Sequence, residues 1–148
     1  MPTGTGRGRK ASASGLLARR LALLALFEEE FRPGSAESAL ERLVAEKEVP
    51  DDVRDHAARL VEGVSEHRDA LDRRIAEEAP LIPVPELGRV ERTILRSAIY
   101  EVLYSAATPS GETMRDAVSL ARIYAGDAAR RLVNGVLGSV SRSSGGGA

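Results

Sequence analysis

LGRVERTILRSAIYEVL, residues 87–103, is the stretch whose reading decides the fold class. At about 100° per residue, Leu87, Val90, Ile94, Leu95, Ala98, Ile99 and Val102 share one side of a helix. Arg89, Arg92, Thr93, Arg96 and Tyr100 share the other. Glu91 projects into the apolar side, where an unpaired carboxylate is costly to bury. Either its place in the opening turns, near the positive helix end, accommodates it, or another helix supplies a partner, for which Arg19 and Arg20 are the candidates. The opposite stripe of arginines with one tyrosine has the composition of a phosphate-facing surface, and equally that of an ordinary solvated face.

Composition sets the bounds within which this helix must work. A chain of 148 residues holds a single core or two very small ones, too little for a catalytic domain with an accessory module. With 43% hydrophobic and 29% charged residues it reads as a soluble globular protein. Having no cysteine, it lacks disulfides, thiolate zinc sites and cysteine nucleophiles, which fits a reducing cytoplasm. Arg19 and Arg20 interrupt the most apolar window, so no membrane span is expected. A net charge of −1 does not announce a nucleic-acid partner, but its distribution is uneven. Arg7, Arg9, Lys10, Arg19 and Arg20 gather at the start, and glutamates follow from Glu28.

Taken in order, residues 1–15 read as a flexible basic arm. LLARRLALLALFEEEF, residues 16–31, is apolar on nearly every side of a helix and is expected to be enclosed by others. Phe27 on that pattern is a core aromatic. Arg32-Pro33-Gly34 breaks the chain, and Ser35 is placed to cap a short second helix. Asp51 and Asp52 open a long third helix, in which Val53, Ala57, Leu60, Val64, His67, Leu71 and Ile75 follow one another at spacings of four or three. Gly63 within it suggests a close helix crossing, and His56 and His67 lie too far apart to share a metal. Three prolines in Pro80–Pro85 divide residues 16–79 from residues 86–141. Beyond the organising helix, two more carry Met114, Ala117, Val118, Ala121, Tyr124 and then Leu132, Val133, Val136, Leu137, Val140 as inward-facing sets. Asn134 and Gly135 are poor helix formers inside the last of these, implying a close backbone approach at Gly135 and a side-chain hydrogen bond from Asn134. Residues 142–148 read as a disordered tail. No strand signal occurs, so the expected fold is all-α, about six helices in two three-helix bundles.

The strings ELGRVERTILRSAIYEVLY (86–104) and RRLVNGVLGSV (130–140) together resemble the NusB family of transcription antitermination factors. MRDAVSLARIYAGDA between them, ARRLALLALF near the start and LVEGVSEH at 60–67 fit the same family in order and spacing, so the likeness covers roughly residues 16–141. The resemblance implies a helical domain over 16–141 and no enzymatic activity, cofactor or metal. It implies binding of boxA-type single-stranded RNA together with NusE, the small-subunit ribosomal protein, and action on the RNA polymerase elongation complex, notably on ribosomal RNA operons. The RNA-facing residues it implies are Arg19 of the arginine-rich segment, the aromatic Phe27, Glu91 of the VERTILR motif, and Arg131 and Leu132 before VNGVL. Arg7, Arg9, Lys10, Arg20 and Arg96 join them as candidate phosphate contacts.

Three departures from the family pattern stand out. Its usual arginine cluster is replaced by Gly15-Leu16-Leu17, with the basic residues displaced to Arg7, Arg9 and Lys10. Its usual tyrosine is Phe27, which keeps a stacking face without a hydroxyl. The loop Ala125–Ala129 lacks the common acid-serine pair. The rival readings are an interaction module or homodimer without independent RNA binding, and a module of an RNA cytosine methyltransferase. For the latter the sequence offers neither a dinucleotide-type glycine motif nor a cysteine.

Overall fold

The computed structural model describes the backbone of residues 3–105 and 110–145 and the side chains of residues 13–105 and 111–144. These residues form six α-helices and no strand: α1 Thr3–Glu29, α2 Ala36–Lys47, α3 Asp51–Glu78, α4 Arg89–Tyr104, α5 Ser110–Ala125 and α6 Asp127–Gly145, with a 3-10 turn at Val84–Glu86. The all-α expectation holds. No helix among the described residues is long and apolar enough to cross a membrane.

Two compact units result. One holds α1, α2 and the start of α3 through Val61, and the other runs from Glu62 through α6. The division falls inside α3. The reason lies in α3 itself, whose stretch from Glu62 onward supplies Gly63, Asp72 and Glu78 as contacts to α4 and α6.

In the first unit α1 packs on α2. No position from Ser14 to Glu30 is fully exposed, which is what an all-round apolar helix demands. Ala18, Leu21, Ala22, Leu23, Ala25 and Leu26 of α1 are buried, as are Ala36, Ala39 and Leu40 of α2 and Val53, Ala57, Leu60 and Val61 of α3. Each fully buried leucine among them contributes about 1.5–3 kcal/mol relative to exposure. Ser35 stands at the N-cap of α2 but makes no capping bond, because its backbone is already helical (φ −93°, ψ −3°) and its Oγ is buried without a hydrogen-bond partner among the described residues. Glu29 supplies the missing acceptor, its Oε2 receiving the Ala36 amide at 3.3 Å.

In the second unit α4, α5 and α6 pack against one another pairwise. The apolar seam of α3 is buried as its spacing predicts, with His67 half-buried within it. There the helix breaks, with φ −110° and ψ 15°. Gly63 does mark a close approach: a Cβ there would overlap the ring of Tyr100 on α4. Gly135 does not. A Cβ at Gly135 would meet nothing within 4 Å, and Asn134 beside it is exposed, so no close backbone approach accounts for this glycine.

The last helix continues to Gly145, past the point where a tail was expected. Side chains from α3 engage its final turns. Glu78 accepts hydrogen bonds from the Ser139 hydroxyl at 2.6 Å and the Ser143 hydroxyl at 2.7 Å, while Arg74 Nη2 donates to the hydroxyls of Ser143 (2.7 Å) and Ser144 (2.6 Å). The Ser139 and Ser143 donors, helped by Arg74 and opposed by burial, hold the Glu78 carboxyl below the usual glutamate range. A carboxyl depressed in the folded state stabilises at every pH above its ordinary value, and that contribution disappears as pH falls through the lower folded value. Glu78→Gln is therefore expected to cost stability at pH 7 and nothing once the carboxyl is protonated. Urea midpoints of the two proteins should converge on acidification below about pH 4.3, the ordinary glutamate value; a constant gap would refute the assignment.

Candidate nucleic-acid interface

On α1 the coverage by neighbouring residues is uneven. Leu17, Arg20, Leu24 and Phe27 are half-buried and follow one another at spacings of three, four and three, with Phe31 four residues further and exposed. Such spacing is one side of a helix, so from Leu17 to Phe27 the positions of α1 that are not buried form one seam. It carries one guanidinium and ends in two aromatic rings. Arg20 Nε is buried with no hydrogen-bond partner among the described residues. Phe27 and Phe31 meet edge to face, ring centres 5.2 Å apart and planes at 68°.

Arg19, adjacent in sequence, points elsewhere and is 5% exposed. Its guanidinium is thus enclosed by the protein, whereas Arg20 is half-buried. Of the basic residues at the start, Arg7, Arg9 and Lys10 lie outside the described side chains.

In the second unit the expected basic stripe of α4 is divided. Arg89 is exposed. Arg92 is half-buried and its Nη1 reaches back to the carbonyls of Val84 and Pro85, both at 3.4 Å. Arg96 is buried: Nε donates to Asp72 Oδ1 at 2.7 Å and Nη2 to Oδ2 at 2.9 Å. This bidentate pair ties α4 to α3 and removes Arg96 from the exposed phosphate-binding set, because its side chain is 8% exposed with both of those donors committed to Asp72. Tyr100 fills the space over Gly63 and lies in a group of stacked rings with His67 and Tyr104. Two of the five stripe residues, Arg96 and Tyr100, thus face α3.

Glu91 is half-buried in the first turn of α4, and its carboxylate folds back over Gly88, at the helix end whose dipole favours negative charge. On α6, Arg131 is exposed and Leu132 half-buried. Asp127 opens this helix after Gly126, whose φ of 97° suits glycine. Its Oδ1 accepts from Arg130 Nε at 2.7 Å and its Oδ2 from Arg131. The Arg130 hydrogen bond, chiefly, lowers the Asp127 carboxyl and raises the Arg130 guanidinium. Exposed pairs of this kind are weakly held.

Sequence reasoning missed Phe31 and Asp72. The spacing of Phe31 from Phe27 was a usable signal; that of Asp72 from Arg96 was not, since the two lie on different helices. Among the described residues no group of three or more metal-ligating side chains is gathered.

Comparison with known proteins bears on the same residues. The NusB family profile matches residues 16–142. Transcription antitermination protein NusB of Dehalococcoides mccartyi (strain ATCC BAA-2266 / KCTC 15142 / 195) is 34% identical over 126 residues, covering 85% of this chain and 88% of that protein. A crystal structure of the antitermination factors NusB and NusE in complex with double-stranded RNA superposes with a TM-score of 0.80 at 28% identity, over 90% of this chain and 98% of that one. T. maritima NusB gives a TM-score of 0.80 at 27% identity, over 86% and 90% of the two chains. On the length and continuity of these matches, the chain belongs to the NusB family.

Proposed function

We propose that this chain is a transcription antitermination factor that binds boxA-type RNA together with NusE and so modifies elongation by RNA polymerase in the cytoplasm. It acts by binding and catalyses no reaction. The observation that carries the reading is the unbroken family match over residues 16–142, supported by the fold shared with a NusB bound to NusE and RNA. The accessible seam of α1 agrees with it chemically: Arg20 is a cation for phosphate and Phe27 a surface for a base. Arg131 and the basic residues Arg7, Arg9 and Lys10 supply further phosphate contacts, with Leu132 and Glu91 beside bases. Arg19 and Arg96, being enclosed, hold their helices in position.

Titration of a labelled boxA oligonucleotide at several salt concentrations, with and without NusE, tests this. For single-stranded RNA, log affinity falls by about 0.7 per phosphate contact per log unit of salt. Arg20→Ala is expected to reduce that slope by about one contact. Phe27→Ala is expected to weaken binding about tenfold with the salt slope unchanged, since stacking releases no counterions. Absence of binding in both mixtures would overturn the reading.

A further inference from the structure

We propose that Phe31, at the end of the α1 seam, is a base-stacking residue for single-stranded RNA and supplies more of the stacking surface than Phe27. The inference rests on the RNA-binding reading above and extends it to a residue outside the motifs that carry the family resemblance. In an edge-to-face pair the edge of one ring occupies a face of the other, so Phe27 and Phe31 cannot both offer every face to a base. Phe27 is half-buried in its helix, whereas Phe31 is 58% exposed. Burial and pairing together leave the larger accessible aromatic surface on Phe31.

Its position is defined by the backbone. The Phe31 amide donates to the Glu28 carbonyl at 3.0 Å and the Arg32 amide to the same carbonyl at 3.1 Å, so the turn of α1 continues through both residues. A large apolar ring held at the surface by an ordered turn loses little conformational freedom on binding, which is what a stacking platform requires. Of the glutamates that precede it, Glu28 pairs with Arg42 and Glu29 accepts the Ala36 amide. Arg32, next to Phe31, is exposed and supplies a cation for the phosphate of a stacked nucleotide.

The chain has no tryptophan, so Phe31→Trp installs a single reporter at the site. With a boxA-type single-stranded oligonucleotide and NusE, Phe31→Ala and Phe31→Leu are expected to weaken binding by roughly 5- to 150-fold, the range for loss of one stacked base. Phe31→Trp is expected to bind as the parent does, with its emission quenched on saturation. Leucine retains the apolar bulk and tryptophan the π-face, so this pattern separates stacking from packing. If Phe31→Ala binds like the parent while Phe27→Ala does not, or if the tryptophan emission is unmoved at saturation, the proposal is overturned and the function reading survives. If the unaltered chain binds no RNA, both fall.

Discussion

Asp72→Ala is expected to lower the free energy of unfolding by about 2–4 kcal/mol, measured by urea denaturation at neutral pH. Removing one partner of a buried ion pair is severe because the remaining charge keeps its desolvation cost and loses its compensation. Here the remaining group is Arg96, whose side chain is 8% exposed and whose Nε and Nη2 both donate to Asp72. The range is set at the lower side of what fully buried pairs give, since the Asp72 side chain is 29% exposed and water softens the loss. Arg96→Lys is expected to recover only part of the pair, because an ammonium is a point charge without the planar fork. Replacing both residues, Asp72→Ala with Arg96→Met, is expected to be less damaging than Asp72→Ala alone, as it leaves no orphaned charge. A single mutant within about 0.5 kcal/mol of the parent would show the pair to be surface-like. The consequence for function is indirect: α4 carries Glu91 and Arg89, and the clamp to α3 fixes where that helix lies.

The clamp also shows which parts of this molecule were legible in its sequence. Periodicity found the helices, since burial repeats with the helical turn: Ile94, Leu95, Ala98 and Ile99 are all buried as their spacing requires. It assigned Arg96 to an exposed stripe because a one-helix projection contains no information about what faces each side. Asp72, on another helix, converts a seemingly solvated arginine into an interior one. The same blindness applies at Ser35, where residue type promised a cap and the helical backbone at that position withheld it. Over residues 3–15 of α1 no apolar repeat exists, so pattern reading had no signal for the helix there. At the candidate interface, Phe27 was found through resemblance to a family motif. Phe31 was not, although the spacing of the α1 seam joins them, because the motif ends at the first ring. What sequence reasoning lacked throughout was the partner of each polar side chain.

Gly63→Ala pits two well-characterised effects against each other, and their sizes decide its sign. In an exposed helix interior, alanine in place of glycine gains about 1 kcal/mol of helix propensity. At this site the added Cβ would overlap three atoms of the Tyr100 ring, Cζ, Cε1 and Cε2. That ring cannot swing away alone: its centre is 5.8 Å from that of His67 and 5.5 Å from that of Tyr104, with planes within 29° and 19° of parallel. His67 and Tyr104 are themselves stacked at 4.2 Å, so relief means dismantling a three-ring group that spans the break in α3. Overpacking of this kind typically costs about 1–3 kcal/mol; set against a propensity gain of about 1 kcal/mol, Gly63→Ala is expected to destabilise by up to about 2 kcal/mol. The same substitution made in a Tyr100→Ala background has no ring to meet. There it is expected to become neutral or stabilising by up to about 1 kcal/mol, as helix propensity alone dictates. The double-mutant cycle should therefore show a coupling of opposite sign to the single effect, read from urea midpoints of the four proteins. Equal losses in both backgrounds would mean that α3 excludes a side chain at residue 63 for a reason other than Tyr100, and the close approach would have to be assigned to the helix backbone.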